Sequence, residues 1–145
     1  MSALVQCVLI TGGAGFIGSH LAEALVTEGK EVFVIDDLST GAASNLAGLQ
    51  GNARLHTTHG SIQDLWTLEP LVEKVDFVYH LAAAVGVDLV VKKPVHTIED
   101  NVRGTENVLA AAAKYLKPVL LTSTSEVYGK RSEEHTSELQ SPCNL

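Results

Sequence analysis

Short segments typical of strands alternate with segments of helical period along this chain. Five segments predict strands: Leu4–Ile10, Glu31–Asp36, the weaker Ala53–Thr58, Asp76–Leu81 and Pro118–Thr122. The first of them is apolar at nearly every position, as is typical of a strand in a parallel sheet that is covered on both faces. A parallel sheet needs a crossover between successive strands, and helices are the usual crossovers.

Three helices are predicted between these strands. The first has its apolar positions at Phe16, Ile17, His20, Leu21, Ala24 and Leu25, and a C-terminal cap at Gly29. The second covers Asp64–Val75, with Asp64 as N-cap and a buried face of Leu65, Leu68, Leu71, Val72 and Val75. The third runs from Pro94 to about Lys114, with an apolar stripe of Val95, Ile98, Val102, Val108, Leu109 and Ala112. Strands that alternate with helices predict an α/β fold with a doubly wound parallel sheet of the Rossmann type.

Composition and charge narrow the class of protein. The 145 residues are 46% hydrophobic and 19% charged, which is typical of one globular domain. Asp and Glu number 17 against 10 Lys and Arg, and this balance argues against nucleic acid or an anionic membrane as the main partner. The chain has no apolar run of the roughly 20 residues that span a bilayer and no Lys or Arg before Lys30, so we expect a cytoplasmic protein without a signal peptide. Two cysteines, Cys7 and Cys143, predict neither a disulfide framework nor a metal site.

The composition changes abruptly after Gly129. The segment Arg131–Pro142 (RSEEHTSELQSP) looks like the in-frame translation of a common sequencing-library adapter oligonucleotide. A solvated loop or frayed terminus is the alternative. We favour a non-native tail over residues 131–145, and we assign no function to its side chains.

A glycine-rich loop lies between the first strand and the first helix, at Thr11–Gly18 (TGGAGFIG). Gly12 allows a tight turn, Gly15 allows the backbone to approach a pyrophosphate, and Gly18 allows the helix to lie close to the sheet. We therefore expect cofactor contacts from Gly12, Gly15, Phe16, Ile17 and Gly18, with the phosphates at the N-terminus of the helix. A P-loop is excluded because Ser19-His20 stands where Lys-Ser/Thr is required, and a ligand-free turn is the remaining alternative.

An acidic residue ends the second strand. Asp36 lies 18 residues after Gly18, close to the offset of the carboxylate that binds an adenosine ribose. A carboxylate there repels a 2′-phosphate, and no Lys or Arg lies in the glycine loop or just after Asp37, so NAD is favoured over NADP. Asp37 is either a second ligand or a turn residue.

Two further segments end predicted strands at the same edge of the sheet. Leu81, Ala82 and Ala83 are small or apolar and leave room for a cofactor, whereas the preceding His80 is expected to be a packed, hydrogen-bonded histidine. The segment Thr122–Glu126 places hydroxyl groups where they could bind a substrate oxygen, or it is a polar turn. Asn101 in the third helix either bonds a neighbouring strand or is solvated.

These motifs together resemble a known family. The chain is similar to the N-terminal part of extended short-chain dehydrogenases/reductases of the NAD-dependent epimerase/dehydratase type, over essentially all of residues 4–129. The matching segments are VLITGGAGFIGSHL (Val8–Leu21), VIDDLSTG (Val34–Gly41), HLAA (His80–Ala83), DNVRGTENVL (Asp100–Leu109) and TSTSEVYG (Thr122–Gly129). Within the family it most resembles UDP-glucose 4-epimerases and UDP-glucuronate decarboxylases.

The resemblance implies roles for individual residues. The three glycines would hold the pyrophosphate of NAD and Asp36 its adenosine ribose. Ser61 and Ile62 would lie beside the adenine, although Ser61 stands where the family usually has Asp. Ala82, Ala83 and Asn101 would also line the cofactor. Thr124 matches the catalytic Ser/Thr position, and Ser125 and Glu126 match residues that contact the sugar in decarboxylase-like members.

The implied chemistry is oxidation of a nucleotide sugar, a UDP-sugar in the first instance, to a 4-keto intermediate, followed by epimerisation, dehydration or decarboxylation. The family's Tyr-x-x-x-Lys pair is absent, because Tyr79, Tyr115 and Tyr128 are followed four positions later by Ala83, Val119 and Ser132. We therefore expect residues 1–130 to be an incomplete NAD-binding domain of a longer, dimeric parent enzyme, inactive by itself. A non-catalytic NAD-sensing module and an inert fragment are the alternatives.

Overall fold

A computed structural model of the protein describes residues 6–83 and 94–123. In chain order, the elements are β1 (Cys7–Thr11), α1 (Phe16–Thr27), β2 (Glu31–Asp36), a 3-10 helix (Ala43–Leu49), β3 (Leu55–His59), α2 (Leu65–Lys74), β4 (Phe77–His80), α3 (Pro94–Lys114) and β5 (Val119–Leu121). No helix in these two ranges combines the length and the apolar character needed to cross a membrane.

The five strands form one parallel sheet in the order β3-β2-β1-β4-β5. Thr11 at the end of β1 is paired with Ile35 on one side and with His80 on the other. The strand order reverses at β1, so a crevice for a ligand is expected at the carboxyl end of this strand. The predicted doubly wound parallel sheet is confirmed.

Helices cover both faces of the sheet, because alternate residues of each strand point to opposite faces. On one face, Val8 and Ile10 pack with residues of α1 and with Leu46 of the 3-10 helix. On the other face, Leu9 and Ile35 pack with residues of α2 and α3. The central strand β1 is thus buried on both sides, in agreement with its nearly uniform apolar sequence.

The apolar stripes predicted for α1 and α3 are confirmed in part and wrong in part. Phe16 and Ile17 are 78% and 67% exposed, whereas the predicted Leu25 is buried together with Gly18, Ser19, Ala22 and Val26. In α3, the predicted Ile98, Val102 and Leu109 are exposed, whereas the predicted Val108 and Ala112 are buried together with Ala111. The buried faces thus combine small residues with Leu25, Val26 and Val108, and apolar periodicity did not indicate the small residues.

The predicted helix ends are confirmed where a specific cap defines them. Gly29 has φ +85°, and the amides of Gly29 and Lys30 donate to the carbonyls of Val26 and Leu25. Asp64 caps α2 by accepting from the Trp66 amide at 3.1 Å, although Leu65 is exposed rather than buried. The strands are less accurate: β3 begins two residues later than predicted, β1 extends through Thr11, and β4 and β5 are shorter. The 3-10 helix was not predicted, since it has no apolar periodicity.

Candidate functional site

The glycine-rich loop has no space for side chains at three of its glycines: backbone atoms fill it at Gly12 and Gly18, and the Val34 side chain fills it at Gly13. Gly12 has φ +70°, and a Cβ atom there would lie 2.8 Å from Ala82 Cα and N. A Cβ atom on Gly18 would lie 2.3 Å from the Gly12 carbonyl oxygen. The loop therefore packs directly on the segment after β4, and Gly12 forms the tight turn that was predicted. Gly18 was predicted to bring the helix close to the sheet, but the atoms that its Cβ would meet belong to the loop itself.

The N-terminus of α1 faces this loop with free backbone donors. Gly15 is the N-cap and provides no side chain, and the first turn contains no acidic residue. Helix geometry leaves the amides of Phe16, Ile17 and Gly18 without intrahelical acceptors. These amides and the positive end of the helix dipole can stabilise an anionic group such as a phosphate.

Asp36 lies across the loop from this helix. Its Oδ2 accepts a hydrogen bond of 2.8 Å from the Ala14 amide, and its Oδ1 accepts one of 2.8 Å from the Leu38 amide. Each carboxylate oxygen can accept more than one hydrogen bond, so both retain capacity for a ligand hydroxyl. Asp37, in contrast, is exposed, and its Oδ1 accepts from the Ser39 amide at 2.9 Å in a local turn.

The segment after β4 forms the opposite wall of the crevice. The amide of Leu81 donates to the Thr11 carbonyl, and the amide of Ala82 donates to Thr11 Oγ1, both at 3.2 Å. Leu81 and Ala82 are half-buried and Ala83 is exposed. The structure thus brings the predicted Leu81–Ala83 segment against the predicted Gly12 turn.

His80 is a packed residue, as predicted, and not an exposed acid or base. It is buried, and its Nδ1 and Nε2 lie 2.7 Å and 3.1 Å from the hydroxyls of Thr11 and Thr105. Burial lowers the pKa of the His80 imidazole below its usual value of 6.5, so the neutral ring is favoured. The histidine therefore links β1, β4 and α3 beneath the crevice.

Two other predicted cofactor residues follow β3 at the same edge of the sheet. The backbone before Ser61 is fixed by a hydrogen bond from the Gly60 amide to the Asp36 carbonyl, at 3.0 Å. Ser61 Oγ accepts from the Gln63 amide at 3.2 Å. Ile62 packs on α3, where a Cβ atom on Gly104 would lie 2.5 Å from Ile62 Cδ1. Ser61 and Ile62 are both half-buried beside the end of β2.

Asn101 is the predicted cofactor residue of α3. It is half-buried and lies one helical turn before Thr105, which contacts His80. A crossover helix runs antiparallel to the strands of a parallel sheet, so this turn places Asn101 toward the carboxyl edge, on the side of the crevice.

The predicted catalytic segment is described only at its beginning. The amide and Oγ1 of Thr122 donate to the His80 carbonyl at 3.4 Å and 3.2 Å, which fixes the start of this segment at the same edge of the sheet. Thr124, Ser125 and Glu126 lie outside the described residues.

The sequence did not indicate the role of residues 41–45, which contact the glycine-rich loop. The Ala42 amide and the Asn45 side-chain amide both donate to the Ala14 carbonyl, at 3.1 Å and 2.8 Å. Gly41 packs on the same peptide, since a Cβ atom there would lie 2.9 Å from the Ala14 carbonyl carbon. The glycine at 41 was the one available sequence signal for this close approach.

Comparison with known proteins gives consistent relatives. A family model described as GDP-mannose 4,6-dehydratase matches residues 9–143. The chain is 48% identical over 122 residues to a UDP-N-acetyl-alpha-D-glucosaminuronate decarboxylase of Bacillus cytotoxicus, covering 84% of this chain and 37% of the relative. It is 42% identical over 131 residues to UDP-glucuronic acid decarboxylase 1 of Arabidopsis thaliana, covering 90% of this chain and 29% of the relative. The chain thus spans about a third of the length of these relatives.

Solved structures share the fold at significant identity. A dTDP-glucose 4,6-dehydratase from Streptomyces venezuelae, solved with NAD bound, superposes with a TM-score of 0.82 at 36% identity, covering 88% of this chain and 42% of the other. A UDP-glucose 4-epimerase from Brucella ovis in complex with NAD gives a TM-score of 0.76 at 34% identity, covering 88% and 38%.

Proposed function

Because the chain belongs to the family of NAD-dependent epimerases, dehydratases and decarboxylases that the GDP-mannose 4,6-dehydratase model describes, we propose that it is the N-terminal part of an enzyme that acts on a UDP-sugar through a 4-keto intermediate. Decarboxylation of a UDP-hexuronic acid is the reaction we favour, because the relatives at 48% and 42% identity bear the names of such decarboxylases. Epimerisation of UDP-glucose at C4 is the second candidate reaction, and it also proceeds through a 4-keto intermediate.

This proposal rests mainly on the position of Asp36 beside the glycine-rich loop. Backbone atoms exclude side chains at Gly12 and Gly18, so the loop packs closely on the segment after β4 and on the first turn of α1. This packing supports a pyrophosphate site at the free amides of that turn. The remaining acceptor capacity of Asp36 fits the two hydroxyls of an adenosine ribose. Its negative charge, with no Lys or Arg just after Asp37, favours NAD over NADP. These residues fit the cofactor of the family.

The other walls of the crevice have proposed roles in holding NAD. Ile62 provides an apolar surface for the adenine, and Ser61 provides a hydroxyl in place of the usual carboxylate. Leu81, Ala82 and Ala83 line the path toward the nicotinamide, with Asn101 beyond them. When bound, NAD supplies a hydride acceptor for the sugar C4 position.

The reacting groups belong to the segment after β5. We assign Thr124 to a hydrogen bond with the C4 oxygen of the sugar, and Ser125 and Glu126 to contacts with the sugar itself. The start of this segment at Thr122 lies against the end of β4, which supports its placement beside the crevice. The 145 residues contain no Tyr-x-x-x-Lys pair to remove the hydroxyl proton, so we propose that this chain alone does not catalyse the reaction.

The organisation of the parent protein follows from the same proposal. We propose that residues 1–130 are an incomplete NAD-binding domain and that the remaining strand and the sugar-binding domain belong to the parent. We also propose that residues 131–145 are a non-native tail, although the match to the family model extends to residue 143. We propose a cytoplasmic homodimer in which α3 contributes to the interface, because Ile98, Val102 and Leu109 are exposed on this helix. A non-catalytic NAD-sensing module is not favoured, since the relatives carry the names of enzymes.

The test is an assay of the parent protein, expressed from an independent clone that reads past codon 130. UDP-glucuronic acid, UDP-N-acetylglucosaminuronic acid and UDP-glucose are supplied separately, and the products are identified by NMR and mass spectrometry. Loss of CO2 from a UDP-hexuronic acid is the expected result. If the protein only epimerises UDP-glucose, the favoured decarboxylation is wrong and the protein is a UDP-glucose 4-epimerase. If it converts none of the three nucleotide sugars, the proposed function is contradicted.

A further inference from the structure

The Ala14 carbonyl group is contacted at three points by one short segment of the chain. Residues 41–45, called the bracket from here on, donate to this oxygen from the Ala42 amide at 3.1 Å and from Asn45 Nδ2 at 2.8 Å. Gly41 lies against the same peptide, since a Cβ atom on this glycine would lie 3.1 Å from the Gly15 nitrogen. The bracket therefore holds the peptide group that joins Ala14 to Gly15.

The same loop residue is held from its other side by Asp36. The Ala14 amide donates to Asp36 Oδ2 at 2.8 Å, so both peptide groups that flank the Ala14 Cα atom have fixed partners. The peptide unit is planar, and fixing the Ala14 carbonyl also fixes the direction of the Gly15 amide, which donates to the Gly12 carbonyl at 3.1 Å. Gly15 is the N-cap of α1. The orientation of the first helical turn is thus linked to the bracket.

The contact with the Ala14 oxygen requires a side-chain donor, and asparagine provides one. The Ala14 oxygen is only an acceptor, so the side chain must present a donor, which the Asn45 amide does and a carboxylate cannot. The Asn45 backbone amide donates to the Ala42 carbonyl at 2.9 Å, which anchors the residue in the first turn of the 3-10 helix. Asn45 itself is exposed, so its side chain contributes little to the buried core.

We propose that Asn45 is a positioning residue of the dinucleotide site, which fixes the Ala14–Gly15 peptide and thereby directs the first-turn amides of α1 at the pyrophosphate. The inference rests on the proposed binding of NAD at this loop. Asn45 would then affect the affinity for the ligand without contacting it, because it orients the backbone amides that bind the pyrophosphate. The effect falls on the phosphate-bearing part of the ligand rather than on the adenosine, whose ribose is bound by Asp36.

The experiment compares two ligands on variants of the parent protein. ADP-ribose carries the pyrophosphate and adenosine does not; their dissociation constants are measured by calorimetry and by ligand-observed NMR, respectively. Asn45→Ala removes the donor without adding charge, and Asn45→Asp keeps the size but sets a carboxylate against the Ala14 carbonyl. Asn52→Asp is the matched control, since Asn52 is exposed and its Oδ1 accepts from the Arg54 amide, a bond that a carboxylate retains.

The expected result is a loss of ADP-ribose affinity with little change for adenosine. Loss of one hydrogen bond predicts an effect between about twofold and tenfold for Asn45→Ala, and Asn45→Asp is expected to lose more than about tenfold. Asn52→Asp is expected to stay within about twofold for both ligands. If Asn45→Asp does not fold, as judged by circular dichroism, Asn45→Ala decides the outcome.

Two results would overturn the inference while leaving NAD binding intact. One is an Asn45→Ala protein that binds ADP-ribose as the wild type does, and the other is an equal loss of adenosine and ADP-ribose affinity. Absence of ADP-ribose and NAD binding by the wild-type parent protein is a different result, which refutes the proposed function and this inference with it.

Discussion

Asp36 Oδ2 accepts a hydrogen bond of 2.8 Å from the Ala14 amide, which joins the end of β2 to the glycine-rich loop after β1. The two residues are 22 positions apart in sequence, yet this contact sets the distance between the carboxylate and the N-terminus of α1. A ligand can therefore place a ribose hydroxyl on the carboxylate at the end of β2 and the adjacent phosphate on the loop after β1.

Replacement of Asp36 by Asn tests this relationship. The amide oxygen of Asn can accept from the Ala14 or the Leu38 amide but its nitrogen cannot accept, so one of the two hydrogen bonds is lost together with the charge. Loss of a hydrogen bond to a charged group predicts a decrease in NAD affinity of about tenfold or more, with a smaller preference for NAD over NADP. Calorimetric titration of the parent protein with each dinucleotide measures both.

Asp37→Asn is the control for this change, because Asp37 is adjacent and undergoes the same chemical replacement. Its Oδ1 accepts only from the Ser39 amide in the contacts described, and a side-chain amide oxygen can accept that bond. We expect NAD affinity within about threefold of the wild type. A loss as large as that of Asp36→Asn would show that Asp37 is also a ligand.

The buried His80 predicts that stability falls on mild acidification. Burial lowers the pKa of the folded-state imidazole below 6.5, so the unfolded state binds more protons as the pH falls through 6.5. The contribution of the neutral ring is complete above this pH and is lost as the pH falls to the folded-state pKa. Urea unfolding between pH 8 and pH 5 measures the slope, and His80→Gln is expected to reduce it. An unchanged slope in this variant would contradict the assignment.

Asp76 predicts a second loss of stability in a more acidic range. Its Oδ2 accepts from the amides of Gln6 and Cys7, both at 2.9 Å, and these bonds lower the pKa of the carboxyl below 3.8. The stabilisation is therefore present above pH 3.8 and is lost as the pH falls through the folded-state pKa. Asp76→Asn is expected to lower stability at pH 7 and to flatten the acid branch of the unfolding curve. Glu73→Gln, an exposed change on α2, is the control and should leave both unchanged.

The sequence predicted those features that depend on local chemistry. The bounds of β2 and α3 agree with the prediction, and the caps at Gly29 and Asp64 are present, because each is determined by neighbouring residues. The turn at Gly12 was predicted for the same reason, since only glycine adopts its conformation at no cost.

Features that depend on tertiary packing were predicted poorly. Apolar periodicity assigned Phe16 and Val102 to buried faces, but both are exposed, and α1 and α3 bury Gly18, Ser19 and Ala111 beside larger apolar residues. Asn45 was missed because its partner, the Ala14 carbonyl, is 31 residues away and belongs to the backbone, which no side-chain pattern reports.

Titration of NAD into Gly18→Ala and Gly48→Ala variants of the parent protein tests the central claim most directly. A Cβ atom on Gly18 would lie 2.3 Å from the Gly12 carbonyl and must displace the loop, whereas Gly48 has no atom within 4 Å of such a position. We predict a folded Gly18→Ala protein with at least about tenfold weaker NAD binding, and a Gly48→Ala protein that binds as the wild type does. Equal and undiminished affinity in both variants would contradict binding of the pyrophosphate at this loop.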